Sequence, residues 1–94
     1  MIRSFADRDS LRVFQRLQVK RLSIDLQRAA YRKLLIIDAA GSISDLRIPP
    51  GNRLEKLTRN REGQYSIRIN EQWRICFHWR ANDAYDVEIT DYHA

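Results

Sequence analysis

The chain has 94 residues, with seventeen Lys and Arg against twelve Asp and Glu and a formal charge of +5. That length predicts one small domain over 1–94, large enough to bury a core without staples but only just, and the single cysteine, Cys76, excludes a disulfide framework and points to a reducing compartment, the cytoplasm. No apolar run is long enough to span a bilayer, Met-Ile-Arg-Ser-Phe lacks the apolar stretch of a signal peptide, and the basic excess points to a polyanionic partner.

In chain order, Ile2 to Phe5 alternates and predicts a short strand. Asp7 is an N-cap, and Leu11, Phe14 and Leu17 have the spacing of one buried helix face. Arg8, Arg12, Arg16 and Lys20 recur at i, i+4 on the outer side of that helix. Like charges at this spacing repel slightly, so the stripe is either a solvated face or a surface for RNA phosphates. A second helix starts at Ser23 and stops at Gly41, with Leu22, Leu26, Ala30, Leu34 and Ile37 as its buried stripe. Ser42 to Pro50 is a connector that runs into Pro49-Pro50-Gly51. Asn52 to Leu57 predicts the next strand, with Leu54 and Leu57 inward. The loop from Thr58 to Gly63 carries Arg59 and Arg61 and, with Arg53 and Lys56, gathers basic residues just ahead of the sheet.

From Gln64 to His93 three runs alternate at period two, the mark of half-buried strands. Tyr65, Ile67 and Ile69 share one face of the first run, Trp73, Ile75, Phe77 and Trp79 one face of the second, and Tyr85, Val87 and Ile89 one face of the third. The opposite faces carry Arg68, Arg74, His78 and Tyr92. Opposed residues in an antiparallel pair lie on one face. A two-residue turn at Asn70-Glu71 would set Arg68 against Trp73 and break that rule. The odd loop Asn70-Glu71-Gln72 sets Ile67 against Ile75 and Arg68 against Arg74 instead. Two opposed arginines either splay into solvent or hold an anion between them. The order strand, helix, helix and meander is α+β, with two N-terminal helices packed on a mostly antiparallel sheet.

Several chemistries drop out. There is no Gly-rich phosphate loop and no Gly-x-Ser-x-Gly elbow, and Cys76, His78 and His93 have no recognised metal spacing. Neither a metal nor a cofactor is expected. Cys76 reads as small filler, and His78 as a structural or solvated side chain. Asp91, Tyr92 and His93 are three consecutive groups able to carry or orient protons. A frayed polar tail is the plain reading of them. If the last strand pairs beside the Trp73–Trp79 run, however, Tyr92 joins the face of Arg68 and Arg74. Basic groups beside acid–base groups suit RNA cleavage through the 2′-hydroxyl. A base takes the 2′-OH proton, cations stabilise the phosphorane, and an acid protonates the 5′ leaving oxygen. That chemistry needs no metal.

The residues carry a resemblance over nearly the whole chain: Met-Ile-Arg-Ser-Phe at the start, Pro-Pro-Gly-Asn-Arg-Leu-Glu at 49–55, Arg-Glu-Gly-Gln-Tyr-Ser-Ile-Arg-Ile-Asn at 61–70, Gln-Trp-Arg-Ile-Cys-Phe at 72–77 and Asp-Tyr-His at 91–93. In this order and at these spacings the chain resembles the HigB-like toxins of bacterial type II toxin–antitoxin pairs, within the RelE superfamily. The resemblance implies the RelE-like microbial RNase fold and an endoribonuclease that cuts mRNA in the ribosomal A site. It also implies a helix-turn-helix, HigA-like antitoxin from the same operon, operator DNA reached only through that antitoxin, and no membrane. Carried over by position, Arg74 matches the phosphate-stabilising arginine, and Asp91, Tyr92 and His93 match the C-terminal active-site cluster. Arg68 and Arg61 fit as RNA contacts. The remaining basic residues assigned to RNA are Arg53, Lys56 and Arg59 near the sheet and Arg12 and Arg16 on the first helix. The chain departs from the pattern at Glu55, where some members place a catalytic histidine, and Glu55 is the alternative base. The superfamily also contains ParE-like toxins, which poison DNA gyrase and cleave no RNA, and an inactive antitoxin-binding member is a third reading. The Asp-Tyr-His end favours the nuclease.

Overall fold

The computed structural model describes residues 1–91. Its elements are helices α1 (Arg8–Phe14) and α2 (Ile24–Ala39) and strands β1 (Glu55–Lys56), β2 (Gln64–Arg68), β3 (Arg74–Arg80) and β4 (Asp83–Thr90). The strands form one antiparallel sheet in the order β1-β2-β3-β4. Both helices pack on one face of it, around a core of Val13, Leu26, Leu34, Ile37, Ile67, Ile75, Phe77 and Val87. The expected α+β arrangement is therefore present.

Asp7 caps α1 as expected, its carboxylate accepting the Ser10 N–H at 2.7 Å. Of the expected buried face of that helix, only Phe14 packs against the core. Leu11 and Leu17 are 37% and 53% exposed, while Ser10 and Val13 are buried. The cause is a buried hydrogen bond at 2.9 Å, in which the Ser10 hydroxyl accepts the Ile89 N–H of β4. It turns the Ser10–Val13 edge toward the sheet. The helix also ends at Phe14, and Arg16 takes a left-handed φ of 65°. Arg16 and Lys20 thus leave the helix, and the four-residue basic stripe is broken.

Helix α2 follows its pattern closely. The Ser23 hydroxyl accepts the Leu26 N–H at 3.1 Å, and Leu26, Ala30, Leu34 and Ile37 are buried. Residues 42–54 then behave differently from a plain connector and strand. Ile43–Arg47 and Pro50–Asn52 are short 3-10 turns, and only Glu55–Lys56 pairs as β-structure. Leu54 packs against the core, and Leu57 is buried apart from it. Asn52 explains the shortening. Fully buried, it donates to the Leu46 and Ile48 carbonyls at 3.3 and 3.2 Å and accepts from the Lys33 ammonium of α2. Burial, and then the Arg32 charge, hold Lys33 below the ordinary lysine value.

The β2–β3 register is the expected one, with Ile67 opposite Ile75 and Arg68 opposite Arg74. The third run differs. Ala81 and Asn82, both at positive φ, make a two-residue hairpin turn, and Arg80 pairs with Asp83. An irregularity between Cys76 and His78, with Asp86 at φ 53°, inserts one extra residue into β4. Tyr85 consequently pairs with His78 and leaves the face of Val87 and Ile89, and Ala84 takes the buried position. Ile2 and Phe5 form isolated parallel bridges to Ala84 and Val87 in place of a continuous strand.

Asn52→Ala removes the partner of two carbonyls and of Lys33 together. The expected loss is about 1–3 kcal/mol, read as a lower urea midpoint at an unchanged m-value.

Candidate active site

Alternation along the strands carries one set of side chains to the sheet face turned away from the helices. Glu55 of β1 stands opposite Ser66 of β2, and Ser66 stands opposite Cys76 of β3. Cys76 stands opposite Glu88 of β4, and Arg74 opposite Thr90. Ile67 and Ile75, one residue out of phase, go to the core.

Arg74 is the centre of this face. Its Nε donates to the Ser66 hydroxyl at 2.7 Å, and its Nη2 donates to the Arg53 carbonyl at 2.6 Å and to the Ser66 carbonyl at 3.4 Å. The Glu55 carboxylate lies 3.9 Å from Nη2. Arg53 presents its carbonyl because it sits at φ 45°, directly after the buried Asn52. A guanidinium held along one edge by fixed acceptors keeps its planar fork in one orientation. The remaining Nη1 corner makes no hydrogen bond among the described residues. Arg68 does not compete for the same space, because its Nε turns back to the Asn70 carbonyl at 3.0 Å. The two opposed guanidinium groups thus bond different acceptors.

Arg61 reaches the same face, where its Nη1 donates to Glu88 at 3.0 Å and to Gln64 at 3.2 Å. Arg53 and Arg59 are exposed. Lys56 stands opposite Tyr65 and so falls on the other side of the strand from Glu55. Arg12 and Arg16 lie at α1, on the helix side of the sheet. Asp91 accepts from Gln72 Nε2 at 3.0 Å, directly after the strand that ends beside Arg74. Tyr92 and His93 lie outside the described residues. Ser66 and Glu88 were not singled out from the sequence, although the period-two alternation places both with Arg74. Cys76 is fully buried under the face. Burial pushes its thiol up to about 11, with Glu88 and Glu55 adding to the rise and Arg61 and Arg74 opposing it.

Chemically the face offers a fixed guanidinium, a carboxylate 3.9 Å from it, and further cations nearby. Residues 3–93 match the family described as the RelE-like toxin of type II toxin–antitoxin system HigB. The chain belongs to this family. It is 56% identical to toxin HigB-1 of Vibrio cholerae over 54 residues, 57% of either chain. To the endoribonuclease HigB of Proteus vulgaris it is 38% identical over 65 residues, 65% of either chain. The matched stretch thus spans less than two thirds of those HigB relatives. In fold, the chain is similar to the YoeB–YefM toxin–antitoxin complex of Staphylococcus aureus, at a TM-score of 0.62 and 18% identity, over all of this chain and 99% of that one.

Cys76 gives this HigB-family face a pH signature. Below the ordinary thiol value of 9.0 the folded and unfolded forms are both protonated, and the group leaves stability unchanged. Between 9.0 and about 11 only the unfolded chain loses the proton, so stability falls as pH rises. Urea titrations across that window should show a steeper fall for wild type than for Cys76→Ala.

Proposed function

We propose that this chain is a ribosome-dependent endoribonuclease toxin that cuts mRNA in the A site and so inhibits translation. The observation that carries the reading is the Arg74 guanidinium, held by Ser66 and the Arg53 carbonyl with Glu55 3.9 Å away. The match of residues 3–93 to the HigB-like toxins supports it. Glu55 is the proposed base and removes the 2′-OH proton. The 2′-oxygen then bonds to the adjacent phosphorus, and Arg74 stabilises the charge on the phosphorane oxygens. The bond from phosphorus to the 5′-oxygen breaks, and His93 delivers the proton to that oxygen. The products are a 2′,3′-cyclic phosphate and a 5′-hydroxyl. Tyr92 orients the scissile nucleotide. Asp91, which accepts from Gln72, is the third member of the proposed acid–base cluster.

Arg53, Arg59, Arg61 and Arg68 are the proposed phosphate contacts around the site, with Lys56 on the other side of its strand and Arg12 and Arg16 farther off. Such contacts dominate binding to RNA. A HigA-like antitoxin is the proposed partner, and the cytoplasm the proposed compartment.

The test maps mRNA 5′ ends after induction, with and without translation. Cuts that require translation are expected. Cuts independent of it would remove the ribosome from the mechanism, and DNA breaks without RNA cuts would point to gyrase. Arg74→Lys keeps the charge but loses the planar fork, and a fall in cleavage of roughly 10²-fold or more is expected. His93→Ala should lower cleavage by about 10²–10⁴-fold, with the melting temperature unchanged.

A further inference from the structure

The face that carries Arg74 extends along β3 to His78, four residues on and roughly 13 Å away at the rise of an antiparallel strand. His78 stands opposite Gln64 of β2 and Tyr85 of β4. The Arg80 guanidinium lies 4.3 Å from the centre of the Tyr85 ring, a cation–π contact. His78 and Tyr85 are partly exposed, and Arg80 is exposed. Gly63, at φ 91°, keeps the neighbouring side of the imidazole clear, since a β-carbon there would stand 3.8 Å from the ring. Arg61, bonded to Gln64 and Glu88, bridges the rows between this group and Arg74.

Tyr85 reaches this face against the local pattern. Strict alternation would send it to the core with Val87 and Ile89. The extra residue in β4 turns it outward, and Asp86 takes a left-handed φ of 53° there, a strained conformation for a residue with a β-carbon. The core receives only Ala84 in exchange. Bulges of this kind recur beside functional sites, where they re-aim a side chain. Arg80 is aimed by the same hairpin. Asp83, its cross-strand partner, gives its carboxylate to the Met1 amine and to Arg3, each at 3.1 Å, and the Arg80 guanidinium goes to the ring.

A ring backed by a guanidinium, with an imidazole beside it, is a stacking platform for an unpaired base, since every base has a π-face. A duplex offers no such face without unstacking, which costs energy. Arg61 and Arg80 supply positive charge for the phosphates of the same strand. We infer that His78, Tyr85 and Arg80 form a second RNA subsite, which stacks one unpaired base a few nucleotides from the bond that Arg74 serves. The stack adds a modest sequence preference that follows stacking strength. The inference rests on the proposed cleavage at Arg74 and extends it to the flanking strand.

The experiment measures cleavage of one defined mRNA by the full chain on programmed ribosomes. An abasic nucleotide replaces, in turn, each nucleotide flanking the cut. One flanking position should lower wild-type kcat/KM about tenfold when its base is removed. Tyr85→Leu should show the same fall on intact mRNA and no further fall on that abasic mRNA, because both changes remove one stack. Tyr85→Phe keeps the ring and should restore the response to the missing base. A merely structural tyrosine would slow every mRNA alike and leave that response in place. Arg80→Gln, at an exposed position, should weaken the response too, and it decides the question if Tyr85→Leu does not fold. An abasic loss undiminished in these variants, or no sensitive flanking position in wild type, overturns the subsite and leaves the nuclease standing. A wild-type chain that cuts none of these mRNAs overturns the nuclease reading, and the subsite with it.

Discussion

The Asn70 side chain accepts the N–H groups of Gln72 and Trp73, at 2.9 and 2.8 Å, and closes the loop between β2 and β3. Everything on the sheet depends on that closure. Strand side chains alternate, so a slip of one residue would exchange the two faces. With this register Ile67 and Ile75 meet in the core, and Ser66, Arg74 and Cys76 stand on the other side. A single loop therefore sorts apolar contacts from charged ones along both strands.

On the charged face Arg74 is held by neutral polar acceptors more than by its ion pair with Glu55. Glu55 is 3.9 Å from Arg74, and its side chain is half exposed, so its Coulomb term is screened. The Ser66 hydroxyl and the Arg53 carbonyl hold the guanidinium at hydrogen-bond distance. Arg53 is itself placed by Asn52, which is tied to the carbonyls of its own loop and to Lys33 of α2. The chain of bonds thus runs from the helix layer through the 3-10 loop to Arg74. On the other flank the Ser10–Ile89 bond seats α1 against β4, the strand whose end adjoins the same arginine.

The fold shared with the staphylococcal YoeB–YefM complex at 18% identity shows how little of it lies in particular side chains. Alternation, helix period and turn chemistry are enough to specify the layers. The site asks for more, because a fixed cation needs acceptors at set distances. Here they come from a serine and a backbone carbonyl 13 residues apart in the chain. Position in a shared fold would not reveal either of them.

What the sequence determined by itself is what depends on local spacing. The stripe of α2 follows from period 3.6, and the Arg68–Arg74 pairing follows from parity alone. Alternation likewise puts Arg74 on the face away from the helices, where it stands beside Ser66. Ser66 stood in the same alternation and could have been found with it. Other features were decided by tertiary contact. Leu11 and Leu17 have the spacing of a buried face, but one long-range hydrogen bond from Ile89 to Ser10 turned the helix past them. The extra residue in β4 moved Tyr85 to the outer face, and nothing in Tyr-Asp-Val-Glu-Ile announces a left-handed Asp86. Arg53 serves Arg74 through its carbonyl, which has no side-chain signature. Spacing records only which neighbours along the chain can share a face. Which face is buried, and which backbone atom meets a distant guanidinium, is settled by groups far apart in sequence competing for the same hydrogen bonds.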